Sequence, residues 1–194
     1  KSPAIPYDDV PLRRFHLRIS AAGALGMMSD GYILGIIGIA TNVAAPALKL
    51  DALWLGLIGA GSLAGLFLGS LLGGAVVGRI GRRGVFAWDM LLFAILSALQ
   101  FFVTDALQLL LVRLALGVVL GVDYVVVKTF IAEFVPRKSR GSLMSAFILS
   151  WVLGYVGAYM VGYGVRDLDP DSWRWMLASS VIPALLGLAF RFNV

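Results

Sequence analysis

The chain of 194 residues is 60% hydrophobic and only 14% charged, and its mean hydropathy is +0.91. A soluble domain is about 25% charged, so this composition excludes a soluble globular protein and predicts an integral protein of the lipid bilayer. Cysteine is absent, which excludes disulfides, thiolate metal sites and cysteine nucleophiles.

Six apolar stretches are each long enough to cross a hydrocarbon core of about 30 Å at roughly 1.5 Å per residue. In chain order they cover residues 17–44, 52–78, 85–104, 106–134, 142–165 and 173–192, after an N-terminal segment of residues 1–16. The runs are continuous and do not alternate every second residue, which favours an all-α bundle over a β-barrel. Because the loops are short, consecutive helices are expected to be antiparallel neighbours.

The net charge of +5 is distributed unevenly among the predicted loops. Eleven of the 16 lysines and arginines lie on the side of the N-terminus, three lie on the opposite side, and two lie inside a predicted span. Cytoplasmic loops carry an excess of Lys and Arg, so this distribution predicts that both termini are cytoplasmic, in an inner or plasma membrane. The charge therefore indicates membrane topology and not a nucleic-acid partner.

The first and fourth predicted helices each carry an aspartate deep in the membrane. Asp30 lies roughly 20 Å from the inner end of its helix, and Asp123 lies roughly 16 Å from the inner end of its own. An ionisable residue inside a span is costly unless it is paired or hydrated, so both are functional candidates. Two acids in one poorly hydrated cavity cannot both ionise cheaply, and one is expected to hold a proton near neutrality. Ordinary buried pairing is the alternative.

The second helix has a glycine at every fourth position. Such a stripe lets two helices approach closely in lipid, and the fourth and fifth helices have similar patterns. Packing explains most of these glycines, and a smooth surface along which helices slide is the functional alternative. The three stripes are Gly61, Gly65, Gly69 and Gly73, then Arg113, Gly117 and Gly121, and finally Gly154, Ala158 and Gly162.

The connection between the second and third helices is short and strongly basic. Its arginines are expected to meet acidic residues near other helix ends, in a charge network that acts as a cytoplasmic gate. A purely topological role, as positive charge on an inside loop, is the alternative. The expected members of the gate are Arg79, Arg82, Arg83, Asp89, Glu133, Arg137 and Arg140.

Several sequence patterns resemble the major facilitator superfamily. Residues 74–83, GAVVGRIGRR, are similar to the signature loop of that family, and residues 113–121, RLALGVVLG, resemble its arginine and glycine motif. Residues 133–141, EFVPRKSRG, and the tripeptide WRW at 173–175 are similar to the sugar porter and metabolite:proton symporter branch. The segment DGYILGIIG at 30–38 resembles the first helix of the metabolite symporters.

The resemblance implies a fold, a mechanism and a partner. The family has twelve helices, and these patterns belong to the N-terminal six, which work by alternating access with a second bundle around a midplane site. It also implies that the first and fourth helices face one cavity, where Asp30, Asp123 and Arg113 are expected to serve proton coupling. The second bundle is expected either as a C-terminal half outside this sequence or as the mate in a homodimer.

The sequence departs from the resembled family at four positions. The signature loop has an aspartate at the position of Gly78, and sugar porters have a first-helix aspartate at the position of Ile33. Hexose carriers have fifth-helix glutamines at the positions of Ile148 and Tyr155. We therefore expect a small organic solute other than a simple hexose, such as an organic or aromatic acid that is attracted by Arg113 and Lys128 of the fourth helix.

Aromatic residues at a similar depth are expected to line the solute site, with plain packing as the alternative. Lys128 is expected either to attract an anionic solute or to extend its ammonium group to the inner interface. The expected lining residues are Tyr32, Tyr124, Lys128, Trp151 and Tyr155. Together these features predict a secondary transporter that moves a proton with an organic acid or a sugar-like metabolite. A scaffold or receptor bundle that transports nothing is the alternative.

An intramembrane enzyme is not expected. The single histidine, His16, lies far from the serines of the other spans, and no nucleophile, base and orienting residue are grouped along the chain. No residues have the spacing of metal ligands, and no cofactor is expected.

Overall fold

The computed structural model describes the backbone of residues 14–192. Within that range it describes every side chain except those of Phe15, Arg82, Arg83, Ala87 and residues 130–134. The N-terminal segment predicted over residues 1–16 therefore lies almost entirely outside the described part of the chain.

Between residues 14 and 192 the backbone is helical and contains no strand. The helices are α1 (Arg14–Leu48), α2 (Ala52–Ile80), α3 (Arg82–Leu99) with a 3₁₀ turn (Gln100–Phe102), α4 (Ala106–Phe134), α5 (Arg137–Val165), α6 (Ser172–Ala178) and α7 (Val181–Arg191). They form six segments long and apolar enough to cross a membrane, with α6 and α7 together making the sixth. The predicted all-α polytopic membrane fold is confirmed.

Two helices extend well beyond the apolar stretches that predicted them. α1 starts at Arg14 and ends at Leu48, and α5 starts at Arg137, five residues before the predicted start at 142. Hydropathy detects only the part of a helix that lies in hydrocarbon, whereas a helix continues through polar residues into the headgroup region. The α4–α5 connection is consequently only two residues long, Val135 and Pro136.

The α2–α3 connection is a single residue. α2 ends at Ile80, Gly81 has a φ of 85°, and α3 starts at Arg82. The Gly81 amide donates a hydrogen bond to the Val77 carbonyl at 3.0 Å, which closes the end of α2. A left-handed φ favours glycine, so Gly81 is the residue that permits this tight reversal. We call the end of the bundle that carries the α2–α3 and α4–α5 connections the basic end.

Two helix pairs make the closest contacts in the bundle, α2 with α4 and α1 with α5. The predicted glycine stripes lie at these contacts. A Cβ atom on Gly65 or Gly69 would overlap backbone atoms of α4, and a Cβ atom on Gly154 would overlap the Met28 carbonyl of α1. Because lipid supplies no hydrophobic force between helices, this close backbone approach supplies the dispersion contacts that hold the pairs together.

The remaining helices close the bundle around α1. α1 also contacts α4, α6 and α7, and α3 packs against α4 and α7. Large apolar side chains of α2 and α5 are exposed over much of their length, among them Phe67, Leu71, Leu153 and Met160. In a membrane protein such faces contact lipid or another bundle.

The sixth span is broken at Ser179 and Ser180, between α6 and α7. Pro183 lies four residues after Ser179, and a proline ring clashes with the carbonyl four residues before it. The break is joined to α1 by two hydrogen bonds. The Tyr32 and Ser179 hydroxyl oxygens are 2.7 Å apart, and the Ser29 hydroxyl donates to the Pro183 carbonyl at 2.9 Å. The sixth span is thereby fixed against the first near the middle of the bundle.

Candidate functional site

The main polar feature inside the bundle is an ion cluster around Arg191, the last residue of α7. Its Nη1 atom donates to both carboxylate oxygens of Asp89 at 2.7 and 2.8 Å, and to Asp123 Oδ1 at 2.8 Å. It also donates to the Phe86 carbonyl at 3.1 Å. The side chains of Arg191, Asp89 and Asp123 are 0, 2 and 0% exposed. This cluster therefore joins α3, α4 and α7 by buried charges.

Two neighbours shape the space that Arg191 occupies. Its guanidinium carbon lies 4.1 Å from the centre of the Phe86 ring, a cation–π contact. Its Nη2 atom lies against Gly26 of α1, where any Cβ atom would overlap it. The Nε and Nη2 atoms have no hydrogen-bond partner, although they are buried. One edge of the guanidinium is therefore free of hydrogen bonds and faces α1.

Asp30 of α1 is fully buried beside this cluster. Neither of its carboxylate oxygens accepts a hydrogen bond from an N–H or O–H group of the described residues, but its carboxyl group lies within hydrogen-bonding reach of the Asp123 carboxyl. Asp123, Arg191 and Asp89 are its charged neighbours. The structure thus brings the two aspartates of the predicted coupling site together, with a third carboxylate beside them. Three carboxylates face one guanidinium, and in a buried site an uncompensated charge is strongly unfavourable.

Arg113 lies away from this cluster, about 15 Å further along α4 than Asp123. It is fully buried. Its Nη1 atom donates to the Ile33 carbonyl at 2.9 Å, and its Nε and Nη2 atoms have no hydrogen-bond partner. Ile33 is the position where the resembled sugar porters have an aspartate. Arg113 was expected to serve proton coupling together with Asp30 and Asp123, but among the described residues no ion pair joins it to either aspartate, and its bond is to a backbone carbonyl.

Four of the five predicted lining residues lie on one side of the bundle. The Lys128 ammonium is 5.4 Å from the centre of the Tyr124 ring, and the rings of Trp151 and Tyr155 stack at 5.4 Å. Tyr124 and Trp151 pack against the same apolar cluster, and their side chains lie within hydrogen-bonding reach of each other. Tyr32 is different: it is only 8% exposed and its hydroxyl is bonded to the broken sixth span. Tyr32 therefore faces the interior of the bundle. The sequence did not predict this orientation, because α1 is apolar on all sides and hydropathy does not indicate which face of the helix points inward.

The expected gate is only partly described. Arg79 and Arg137 are exposed, and Arg140 donates to the Val135 carbonyl at 3.1 Å. Asp89 was expected to meet the loop arginines. Its observed partner is Arg191, because Asp89 lies about two turns of α3 inward from Arg82. The side chains of the other three members, Arg82, Arg83 and Glu133, lie outside the described part of the chain.

Sequence reasoning missed Arg191. It counted this arginine among the cytoplasmic loop charges, because the excess of Lys and Arg on the cytoplasmic side already explained a basic residue at that end of the helix. One signal was available: Gly26 and Asp30 are four residues apart and so lie on one face of α1. A small residue one turn from a buried acid leaves room for a large cation. Among the described side chains of residues 14–192, no group of three or more His, Cys, Asp or Glu residues is arranged so that it could hold a metal ion.

Six apolar helices around buried charges define a polytopic membrane protein with ionisable groups inside its spans. Residues 20–194 match the model of a family described as "Sugar (and other) transporter". The chain therefore belongs to the sugar transporter family of the major facilitator superfamily. This confirms both the resemblance seen in the sequence and the prediction that the chain is not an enzyme.

Relatives and solved structures agree with this assignment. The inner membrane metabolite transport protein YgcS of Escherichia coli is 45% identical over 186 residues, which are 96% of this chain and 42% of that protein. The proton:xylose symporter XylE, solved with 6-bromo-6-deoxy-D-glucose, superposes with a TM-score of 0.84 at 25% identity, over 93% of this chain and 45% of that chain. The same transporter from E. coli in a partially occluded inward-open conformation also gives a TM-score of 0.84. The chain spans 42%, 45% and 50% of the lengths of these three matches.

Proposed function

We propose that the protein containing this chain is a secondary transporter that moves a small organic solute together with a proton. In this proposal the six spans are the N-terminal bundle, which alternates access to a midplane site with a second six-helix bundle. The family membership and the likeness to a proton:xylose symporter support a carrier of this kind. The likeness to an inner membrane transport protein supports an inner membrane, and the excess of lysine and arginine on the side of the N-terminus supports cytoplasmic termini.

One observation carries the coupling part of the proposal: Arg191 bonds to the buried carboxylates of Asp89 and Asp123, and a third buried carboxyl group, that of Asp30, lies beside them. Ionising all three would leave negative charge without a counter-ion in a site remote from water. A proton taken up or released by Asp30 or Asp123 therefore changes the electrostatic balance that holds α1, α4 and α7 together. A carrier needs this link between a proton and helix position. Arg113 contributes through its own buried positive charge.

The solute is proposed to be an organic acid or a sugar-like metabolite, and Arg113 favours the acid. Its Nε and Nη2 atoms form the edge of the guanidinium that binds a carboxylate through two parallel hydrogen bonds, and both are free. The fifth helix supports the same choice, because Ile148 and Tyr155 replace the glutamines of hexose carriers, and Ile148 is 66% exposed. The proposed lining is Tyr124, Lys128, Trp151 and Tyr155.

The second bundle is proposed to cover the exposed apolar faces of α2 and α5, as a C-terminal half or as a homodimer mate. The basic end then acts as the cytoplasmic gate, with Arg79, Arg82, Arg83, Glu133, Arg137 and Arg140 in the network. In this arrangement Asp89 is part of the buried cluster and links the gate to the coupling site. A scaffold or receptor would need neither a buried charge imbalance nor a free guanidinium edge.

Uptake into proteoliposomes by the full-length protein tests this proposal. Labelled xylose, succinate and benzoate, together with neutral benzamide, are supplied outside, where a pH dye reports proton movement. We expect uptake of a carboxylate with alkalinisation of the outer medium. Asp30→Asn or Asp123→Asn is expected to abolish uphill accumulation and to leave solute exchange measurable.

The matched control is Asp167→Asn, because the Asp167 side chain is 82% exposed at the opposite end of the bundle. It is expected to leave accumulation unchanged. Accumulation that persists in both Asp30→Asn and Asp123→Asn would contradict proton coupling at this site. Uptake of none of the four solutes, without proton movement, would instead favour the scaffold.

A further inference from the structure

Four aromatic side chains follow one another along one face of α5. They are spaced four residues apart, which places residues on the same face of a helix. We call them the aromatic ladder, and its members are Trp151, Tyr155, Tyr159 and Tyr163. The first two rings stack with their centres 5.4 Å apart, and the centres of the second and third rings are 5.2 Å apart. The proposed function uses only the two inner members.

The aromatic ladder joins the outer end of the bundle, opposite the basic end, to the polar interior. At its outer end the Arg166 guanidinium carbon lies 4.2 Å from the centre of the Tyr163 ring, and Arg166 also pairs with Asp167 at 3.0 Å. At its inner end Trp151 lies within hydrogen-bonding reach of Tyr124 of α4. The ladder and its cation therefore extend over roughly 20 Å of α5.

A hollow of about 460 Å³ lies beside the outer three rings of the ladder. Its other lining residues are Val156 and Met160 of α5 and Ile39 of α1. The neighbouring face of α1 carries no side chain at Gly38, where a Cβ atom would lie 3.1 Å from the Tyr159 hydroxyl. Clefts that bind small molecules have volumes of about 300–1,000 Å³ and mostly apolar walls. The hollow therefore has the size and the lining of a site for an apolar part of a small molecule.

Contact with lipid does not explain the position of these tyrosines. Tyrosine collects at the ends of spans, where its hydroxyl reaches the headgroups, but Tyr155 and Tyr159 lie roughly 15 and 9 Å inside the outer end of α5. Their hydroxyl oxygens are 3.4 Å apart, so each has the other as a partner. Tyr159 is 42% exposed and Tyr163 is 66% exposed, so both rings offer surface to a molecule in the hollow.

The group that fits this lining best is a flat aromatic ring. Aromatic rings pair with one another in offset or edge-to-face arrangements, with centres about 4.5–7 Å apart, as the ladder rings themselves do. A hexose carries hydroxyl groups around its ring that need hydrogen-bond partners, and this lining is mostly hydrocarbon. The cation that lies over the outer ring, Arg166, matches the charge of a carboxylate.

We propose that the aromatic ladder binds the ring of an aromatic carboxylate that enters from the outer end of the bundle. The ring lies in the hollow beside Tyr159, and the carboxylate points toward Arg166. Tyr159 is then a residue that determines specificity, because it favours an aromatic ring over a saturated one. The inference rests on the proposed function and names an aromatic acid as the class of solute.

Equilibrium binding to the purified full-length protein in lipid nanodiscs tests the inference without transport. Benzoate is compared with cyclohexanecarboxylate, which carries the same carboxylate on a saturated ring, and empty nanodiscs correct for partition into lipid. Saturation-transfer NMR titrations give the dissociation constants. We expect benzoate to bind about three- to tenfold more tightly, because an aromatic contact adds to the burial that both rings share.

Variants of one residue assign this preference to the aromatic ladder. Tyr159→Leu removes the ring and should bring the two dissociation constants together, whereas Tyr159→Phe keeps the ring and should preserve the difference. The matched control, Phe190→Leu, changes an aromatic residue of α7 that is 52% exposed, and it should also preserve the difference.

Equal binding of the two acids to the unaltered protein, or a preference for benzoate that survives Tyr159→Leu, would overturn the inference. Equal binding would leave the proposed acid transporter intact, and it is the result expected if a helix of the second bundle covers the ladder. Binding of neither acid would overturn the inference as well, whereas proton-coupled uptake of another solute would still support the proposed function.

Discussion

The bundle buries two arginines, and their surroundings differ in charge. Arg191, near the basic end, bonds to two carboxylates at 2.7–2.8 Å. Arg113, on the far side of Asp123 along α4, bonds to a backbone carbonyl at 2.9 Å and keeps two donors free. Burial is the same for both, so burial alone does not define what a buried cation does. The hydrogen-bond partners distinguish the two arginines: Arg191 links helices of the bundle through carboxylates, whereas the positive charge of Arg113 is available to an anionic ligand.

The two regions also differ in how many helices they join. The Arg191 cluster links α3, α4 and α7 and lies against α1, so four spans meet at one guanidinium. The Arg113 contact links only α4 to α1. Removing one partner from a hydrogen-bonded charge cluster leaves uncompensated charge in the interior, while removing a cation that pairs with no carboxylate does not. Stability measurements should therefore separate the two regions.

The largest expected effect follows from removing one arginine at a time. Arg191→Gln leaves Asp89 and Asp123 buried with no counter-ion, and should lower the free energy of unfolding by about 3–5 kcal/mol. Arg113→Gln loses one hydrogen bond to a neutral carbonyl, and should cost about 1 kcal/mol or less. Reversible unfolding in mixed micelles measures both. Equal losses of unfolding free energy in the two variants would show that Arg113 has a counter-ion, and would contradict the difference proposed between the two sites.

A smaller effect is expected at Gly26, which makes room for Arg191. In Gly26→Ala the new methyl group overlaps the Arg191 Nη2 atom, so the guanidinium has to move off α1. Overpacking of this kind costs about 1–3 kcal/mol, measured by the same unfolding assay. The control is Gly56→Ala in α2, where a Cβ atom meets nothing within 4 Å. That variant should be neutral or more stable by up to about 1 kcal/mol, because alanine favours a helix over glycine. A stable Gly26→Ala would mean that Arg191 adjusts freely.

The sequence predicts the helices of this bundle well because apolar length is a local property. A run of about 20 apolar residues becomes a span whatever its neighbours are, and a glycine every fourth residue marks a close contact on the same local grounds. The six spans follow from such patterns, but the partner of each glycine stripe does not: consecutive helices were expected to be neighbours, whereas α2 packs on α4 and α1 on α5. Asp30 and Asp123 were singled out for a similar reason, since charge inside an apolar run is visible in one dimension.

The partners of those charges were not predictable in the same way. α1 and α4 are apolar on every side, so hydropathy does not indicate which face of either helix points inward. Tyr32 was consequently expected beside the solute but lies against the sixth span. Arg191 stands at a helix end, where the sequence assigns it to a loop, yet its long side chain reaches into the bundle. Pro183 was a local signal for the helix break at Ser179, but the spans were predicted from the length of apolar runs, which does not take prolines into account.

The smallest expected effect concerns the bond between the first span and the break in the sixth. Tyr32 precedes Ile33, the partner of Arg113, and its hydroxyl lies 2.7 Å from that of Ser179. Tyr32→Phe removes this bond and keeps the ring, so unfolding should become easier by about 0.5–1.5 kcal/mol. Tyr163→Phe, on the exposed face of α5, is the control and should change nothing measurable. If Tyr32→Phe also leaves stability unchanged, the first span is held to the sixth by the Ser29–Pro183 hydrogen bond and by apolar packing.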